Sequence, residues 1–239
     1  MEKQVDILIV GAGISGIGIA AHLTKNNPNR KFDIIERRAS FGGTWDLFKY
    51  PGIRSDSDMS TFGFNFKPWR KANVLADGES IKGYIGEVVD EYKLKDKIHF
   101  NHRVLSANYD SSTKKWHVQI EDANQKIQTW IANFVLGCTG YYNYDQGFQP
   151  DFPNQEAFKG QLIHPQFWPE NLDYAGKKVV IIGSGATAIT LVPAMAKGGA
   201  GHVTMLQRSP TYIASIPSID FVYDKTRKFM SEDLAYKFT

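Results

Sequence analysis

Two stretches of this chain share one construction, and that construction limits the folds open to it. Val5-Asp-Ile-Leu-Ile-Val10 runs into Gly11-Ala-Gly13-Ile-Ser-Gly16, and Lys177-Lys-Val-Val-Ile-Ile182 runs into Gly183-Ser-Gly185-Ala-Thr-Ala188. Each is a short run rich in β-branched residues, then glycines at fixed spacing, then a helix-compatible stretch. A strand buried on both faces that turns sharply into a helix is how a parallel βαβ unit opens. The repeat therefore predicts an α/β fold with two Rossmann-like dinucleotide-binding units.

The spacing within the first loop has a reason at each place. Gly11 permits the tight turn, Gly13 lets the backbone approach a pyrophosphate, and Gly16 lets the helix pack closely on the strand. The helix start offers unpaired N–H groups and a positive dipole end to phosphate. Glu36 stands twenty residues beyond Gly16, at the end of Phe32-Asp-Ile-Ile-Glu36. A carboxylate there can accept both ribose hydroxyls of an adenosine. With strand, helix and acid in register, a ligand-free glycine turn is the weaker reading.

The second loop repeats the pattern with Ala188 in the third place, which the fingerprint allows. Arg208 stands twenty residues beyond Ala188, the same spacing with the opposite charge. A guanidinium there suits a ribose 2′-phosphate, which it can grip bidentately. The competing reading is an arginine that covers a sheet edge. The first loop is thus expected to take a non-phosphorylated dinucleotide and the second NADP(H).

Between the loops the texture changes. Ser80 to Tyr92 has helical periodicity, with Ile81, Tyr84, Ile85, Val88 and Val89 on one side. Three alternating runs follow (Arg103–Tyr109, Lys115–Ile120, Lys126–Ile131), separated by Asp110–Thr113 and Glu121–Asn124 as turns. They predict a small antiparallel β-meander, about 103–131, inserted in the first unit. Asn133–Cys138 is expected to be a further buried strand, and a short helix is expected around Tyr223 to Tyr236.

Composition excludes some partners. The net charge of +3 is scattered, without the concentrated basic face that nucleic acid requires. Cys138 is the only cysteine, which rules out an intrachain disulfide and a redox-active cysteine pair and fits a reducing, cytoplasmic compartment. The apolar run Ile7–Ala21 is too short to span a bilayer and carries its glycines at loop spacing. No nucleic-acid partner, metal site or transmembrane segment is expected.

Other segments carry a more specific signal. Phe41-Gly-Gly43-Thr-Trp45 and Tyr50-Pro-Gly-Ile-Arg-Ser-Asp56 follow the acid. Phe158-Lys-Gly160-Gln-Leu-Ile-His164-Pro-Gln-Phe-Trp168-Pro169 matches the F-x-G-x-x-x-H-x-x-x-W-P signature of class B flavoprotein monooxygenases. The whole stretch Gly42–Asp58 and Gly140-Tyr-Tyr-Asn-Tyr-Asp145 resemble especially the ethionamide-activating branch of the Baeyer–Villiger type, and the family resemblance runs from about Val5 to Tyr212.

The resemblance implies FAD in the first unit and NADPH in the second. Gly11, Gly13, Gly16 and Glu36 would hold the FAD adenosine and pyrophosphate, and Gly42, Gly43 and Trp45 would line the approach to the flavin. Gly183, Gly185, Ala188 and Arg208 would hold NADPH. It also implies an enzyme in which NADPH and O₂ generate a C4a-peroxyflavin that inserts oxygen into a ketone or oxidises sulfur. Asp56 matches the Asp that pairs with the family's peroxide-steadying Arg; its other reading is the end of a turn beside Arg54. His164 would order the inter-domain connection and cofactor passage, or be a linker histidine bonded to backbone. Trp45 and Trp168 could equally be core aromatics.

The resemblance divides the chain into an FAD-binding part (1–145), a connection carrying the signature (146–175) and an NADP-binding part (176–239). Family members are roughly twice this length, so both units are expected to be incomplete, with no counterpart here for the peroxide-steadying Arg. Two functions stay open: an NADPH- and O₂-dependent monooxygenase, and a nucleotide- or flavin-binding fragment without efficient turnover. The second would act as an uncoupled NADPH oxidase or need an oligomer or complementing chain.

Overall fold

A computed structural model describes residues 3–236, the side chain of Asp233 apart. The described residues divide into two compact units. One runs up to Leu47 and resumes at Ile81–Tyr144; the other comprises Phe48–Ser80 and the residues from Asp145 onward.

The first unit is built on a six-stranded sheet. Its strands are β1 (Lys3–Val10), β2 (Phe32–Ile35), β3 (Ile98–His99), β4 (Arg103–Asp110), β5 (Lys115–Glu121) and β6 (Ile127–Gly137), in the order β3-β2-β1-β6-β5-β4. β3, β2, β1 and β6 run parallel, and β5 and β4 are antiparallel additions at one edge. The chain moves from β1 outward through β2 to β3, then returns to the other side of β1 as β6. That reversal makes the carboxyl end of β1 a topological switch point, where open α/β sheets form their crevice.

The meander forms, and one strand differs from its reading. Lys126–Ile131 and Asn133–Cys138 are expected as two strands, but β6 is continuous. Its first half pairs antiparallel with β5, its second half pairs parallel with β1, and Trp130–Ala132 pair with both. No glycine or proline lies between Ile127 and Leu136 to interrupt it, and Asn133, a turn-type residue, is held in the strand by donating its side-chain amide to Asp6 on β1. The two meander turns are tied by aspartates: Asp110 accepts from the Ser112 N–H, and Asp122 from those of Asn124 and Lys126.

The sheet is covered by α1 (Ile14–Asn26), which buries Gly16, Ile17, Gly18, Ala20 and Ala21. A second helix, continuous over Gly78–Glu91, buries the face its periodicity predicts: Ile81, Tyr84, Ile85, Val88 and Val89. Asp77 caps that helix by accepting from the Ser80 N–H and hydroxyl, which places its start slightly before Ser80. Around the meander the core is Val5, Leu8, Ile35, Val118, Ile120, Trp130 and Ala132.

In the second unit, β7 (Lys178–Ile182) and β8 (His202–Leu206) pair in parallel through α2 (Ala186–Lys197), the expected βαβ opening. Val180, Ile182 and Leu206 are exposed. The helix expected around Tyr223–Tyr236 is two short ones, Phe221–Thr226 and Glu232–Tyr236. Asp220 caps the first through the Tyr223 N–H, and the Ser231 hydroxyl accepts from the Leu234 N–H in the second. A new cap at Ser231 starts a new helix.

Candidate functional site: a glycine-walled cleft and a second phosphate loop

Gly11 follows β1 with φ +108°, a conformation that favours glycine. A β-carbon there would meet the Cys138 carbonyl oxygen at 2.4 Å. A β-carbon on Gly16 would lie 1.9 Å from the Gly11 carbonyl oxygen, so this glycine is what lets α1 press onto the end of β1. Gly13 is different. Among the described residues its β-carbon would meet only Gly43, at 3.6 Å, so packing against them does not demand a glycine there. Gly13 is also the N-cap of α1 and gives it no side-chain cap, leaving the helix's first N–H groups to other acceptors.

Glu36, buried, sits beside this loop. One carboxylate oxygen accepts the Ala12 N–H at 2.8 Å and the other accepts the Arg38 N–H at 2.9 Å. The two backbone donors fix the carboxylate against the phosphate loop, while each oxygen keeps acceptor capacity for a further donor. Gly42, Gly43 and Trp45 close round the opposite side: the Gly42 N–H bonds the Ala12 carbonyl at 2.9 Å. All seven residues expected in the first unit's site are thus gathered at one place. Apart from Gly16, which packs beneath the loop, they line a cleft of about 440 Å³.

The cleft includes walls that motif reading misses. Cys138, Thr139 and Gly140 follow β6 and flank Gly11, because β6 neighbours β1; His102, Arg103 and Val104 enter from the start of β4. Burial pushes the Cys138 thiol above its ordinary range, which makes it a poor nucleophile at neutral pH. Tyr144 also lines the cleft. Burial raises its phenol, and the Glu36 charge adds to that against the opposing Arg38 and Arg37, so it stays a protonated donor. The rule that ligands bind beyond the carboxyl ends of strands at a switch point could have flagged Cys138–Gly140; the start of β4 carries no such signal.

The second loop repeats the backbone but not the surroundings. Gly183 has φ +126°, Gly185 caps α2 without a side chain, and Ala188 is buried. Among the described residues, no atom lies within 4 Å of a β-carbon built on Gly183 or Gly185. Arg208 is exposed, two residues past β8. The register qualifies the argument from equal spacing. The Gly11 N–H bonds the Ile35 carbonyl, and the Gly183 N–H bonds that of Leu206. Gln207 therefore holds the position of Glu36, and Arg208 that of Arg37, because the second connection is one residue shorter. The segment is laced to its loop: the Thr211 hydroxyl donates to the Ser184 hydroxyl at 2.8 Å, and that of Ser184 to the Ser209 carbonyl at 3.5 Å.

Neither Asp56 nor His164 lines the first unit's cleft; both belong to the second unit. Asp56 is exposed in a turn organised by buried Ser55, whose hydroxyl accepts the Ser57 N–H and donates to the Ser57 carbonyl. His164 caps the short 3₁₀ turn Pro165–Phe167 by accepting the Gln166 N–H at 3.2 Å. Its ring packs so closely on Gly147 that a β-carbon there would lie 2.2 Å from it. This geometry matches the backbone-bonded linker histidine; a part in cofactor passage rests on the resemblance alone. Trp168 is half-buried.

Comparison with known proteins adds a family. A sequence profile described as FMO-like, flavin-binding monooxygenase-like, matches residues 2–226. An Acinetobacter baylyi protein described as a probable FAD-binding monooxygenase, AlmA, is 81% identical over 100% of this chain and 48% of its own length. The FAD-containing monooxygenase EthA of Mycolicibacterium smegmatis is 56% identical over 99% of this chain and 48% of its own. Among solved structures, an oxidized steroid monooxygenase bound to NADP aligns with a TM-score of 0.80 at 27% identity, covering 98% of this chain and 43% of that one. Cyclohexanone monooxygenase from Rhodococcus sp. Phi1 bound to NADP+ aligns with a TM-score of 0.75 at 29% identity, covering 90% and 40%. The chain spans about half the length of the curated relatives it matches.

Proposed function

This chain belongs to the flavin-binding monooxygenase-like family, and from that premise we propose that its first unit binds FAD and its second unit NADPH. One observation carries the reading: a cleft lined by Gly11, Gly13, Gly42 and Gly43, with the buried carboxylate of Glu36 fixed at its loop by two backbone donors. Among the described residues no atom requires a glycine at Gly13, which stands in the wall of that cleft, and a β-carbon there would occupy space a pyrophosphate needs. Glu36 would receive the adenosine ribose hydroxyls, and the free N–H groups at the start of α1 the phosphates. Gly42, Gly43 and Trp45 would exclude water from the bound cofactor.

In the second unit Gly183, Gly185 and Ala188 would admit the NADPH pyrophosphate, and Arg208 would take the 2′-phosphate. FAD bound in such a site supplies hydride acceptance and activation of dioxygen; the protein supplies position and water exclusion. The protein of which these units are part would oxygenate a small ketone, in Baeyer–Villiger fashion, or a sulfur. Asp56 would serve by pairing with an arginine near the flavin, and His164 by holding the 146–175 connection. These two roles rest on the resemblance.

A second reading has its own observation. Gly11 packs on Cys138 of the neighbouring β6 segment, whereas among the described residues Gly183 has no such neighbour and Val180 and Ile182 are exposed. On this reading the 239-residue chain alone binds nucleotide but couples NADPH oxidation poorly to substrate oxygenation.

The test is the visible spectrum of the chain after incubation with FAD and desalting, then anaerobic NADPH. Retained yellow flavin that NADPH bleaches supports the first reading. Slow NADPH oxidation with hydrogen peroxide as the main oxygen product supports the second. A colourless protein overturns the assignment of the first unit.

A further inference from the structure

Asp46 follows the Gly42-Gly43-Thr44-Trp45 wall, and its surroundings are unusual for a residue with no assigned part. Its side chain is 9% exposed and meets two cations. Arg38 donates from both Nε (3.2 Å) and Nη2 (2.6 Å) to Oδ2, and from Nη2 to the Asp46 carbonyl (3.2 Å). Lys82, on the helix beginning at Gly78, donates to Oδ1 at 2.5 Å. Both cations are about a third exposed, so the carboxylate is the buried centre of the cluster.

The cluster connects two sides of the cleft. The backbone N–H of Arg38 is one of the two donors that hold Glu36. The side chain of Arg38 holds Asp46, whose own N–H bonds the Gly43 carbonyl. Gly42 in turn bonds the Ala12 carbonyl of the phosphate loop. A closed circuit therefore runs from the ribose-facing acid through Arg38 and Asp46 to the Gly42–Trp45 wall, and back to the loop. That wall runs into the four-residue helix Thr44–Leu47, which carries Asp46. A helix of one turn has no stability of its own, since isolated helices need roughly 12–15 residues, so tertiary contacts must set its place. Gly42 packs against the Asp46 and Lys82 side chains, which leaves it little room to shift.

We propose that Asp46, clamped by Arg38 and Lys82, is a positioning residue for the flavin nucleotide: it fixes the Gly42–Trp45 wall at its distance from Glu36. The proposal rests on the FAD reading of the first unit. Asp46→Asn is the informative change. It keeps size and shape, but its amide group would turn a donor toward one of two cationic donors, and the charge that holds them is gone.

The test has two arms. In the first, hydrogen exchange is measured on the nucleotide-free chain. Asp46→Asn speeds exchange at 42–47 and at the phosphate loop, and leaves the β4–β5 hairpin as in the parent. In the second arm FAD is titrated by fluorescence. The variant raises the dissociation constant about tenfold, and the visible circular dichroism of the FAD it still binds changes shape. Lys82→Met, which removes one of the two cations, gives a smaller change in the same direction. Exchange at 42–47 equal to the parent's overturns the clamp. Exchange raised throughout the chain, with unchanged circular dichroism of bound FAD, reduces Asp46 to a residue of general stability and overturns the positioning role. If the parent itself fails to take up FAD, the reading of the first unit falls and the positioning role with it, while the exchange arm still decides whether the clamp exists.

Discussion

The carbonyl oxygen of Gly11 lies where a β-carbon on Gly16 would have to go, 1.9 Å away. A β-carbon on Gly13, between them, would meet only Gly43 among the described residues. Two alanine substitutions in one loop should therefore fail in different ways. Gly16→Ala forces α1 off the strand and costs about 1–3 kcal/mol of stability, as overpacking does. Gly13→Ala leaves the thermal midpoint near the parent's but weakens FAD, because the methyl enters the cleft. Thermal melts and FAD titrations of both variants separate the two; equal effects on both quantities would contradict the distinction.

Glu36→Arg removes two bonds to backbone donors and sets a cation against the proposed ribose site. Hydrogen bonds to charged groups contribute about 1.5–3 kcal/mol, so FAD affinity falls at least about tenfold. An unchanged dissociation constant would show that the first loop does not read a ribose through this acid.

The register places Arg208 one residue past the position of Glu36, so its side chain and that of Gln207 are separable experiments. Arg208→Ala should weaken NADPH much more than NADH, and the preference of the parent should shrink as salt rises, since the exposed guanidinium is screened. Gln207→Ala should leave the NADPH to NADH ratio nearly as it is. Titration of both nucleotides against the three proteins decides. Equal losses of NADPH and NADH in Arg208→Ala would make that residue a cover for the sheet edge.

Stability should fall at acid pH for a reason that can be assigned. Burial works to raise the carboxyls of Asp33 and Asp46, yet bonds and charges from His99 and Lys3, and from Lys82 and Arg38, outweigh it and hold both below the usual carboxylate value. Ser60 and Thr61 lower Asp58, which caps Met59–Phe62, to about 2. In each case the unfolded chain takes up protons at a higher pH than the folded one. The stabilisation is therefore complete above about pH 4–5, and is lost as pH falls through the folded values. Chemical denaturation from pH 6 down to about 2 should show this slope, and Asp46→Asn should flatten it. A variant with the parent's slope would mean that Asp46 does not contribute.

Much of this was legible in order of locality. The loops at Gly11 and Gly183, the buried face from Ile81 to Val89 and the meander all rest on patterns a few residues long, and each forms. The division of 126–138 into two strands failed because alternation cannot reveal that one strand serves two neighbours. Equal spacing from Ala188 to Arg208 and from Gly16 to Glu36 was real, but spacing counts residues along the chain while register counts them across the sheet. The Arg38–Asp46–Lys82 cluster left no mark that a motif could carry, since Lys82 reaches it from a helix 36 residues further on. Walls such as Val104 and Cys138 likewise depend on which strands become neighbours.

The double pairing of β6 bears on how the protein is made. Asn133 on β6 reaches Asp6 on β1 across 127 residues, whereas the β5–β6 hairpin closes through a short turn. Local pairings form ahead of distant ones because closing a long loop costs chain entropy before any contact offsets it. The meander should thus assemble first and present the start of β6, after which the remainder zips onto β1 from Trp130 toward Gly137. Only the last step of that zipper brings the Cys138 carbonyl against Gly11. The Gly11–Gly16 loop, which precedes β2 to β6 in the chain, would be among the last parts of the first unit to reach its working shape.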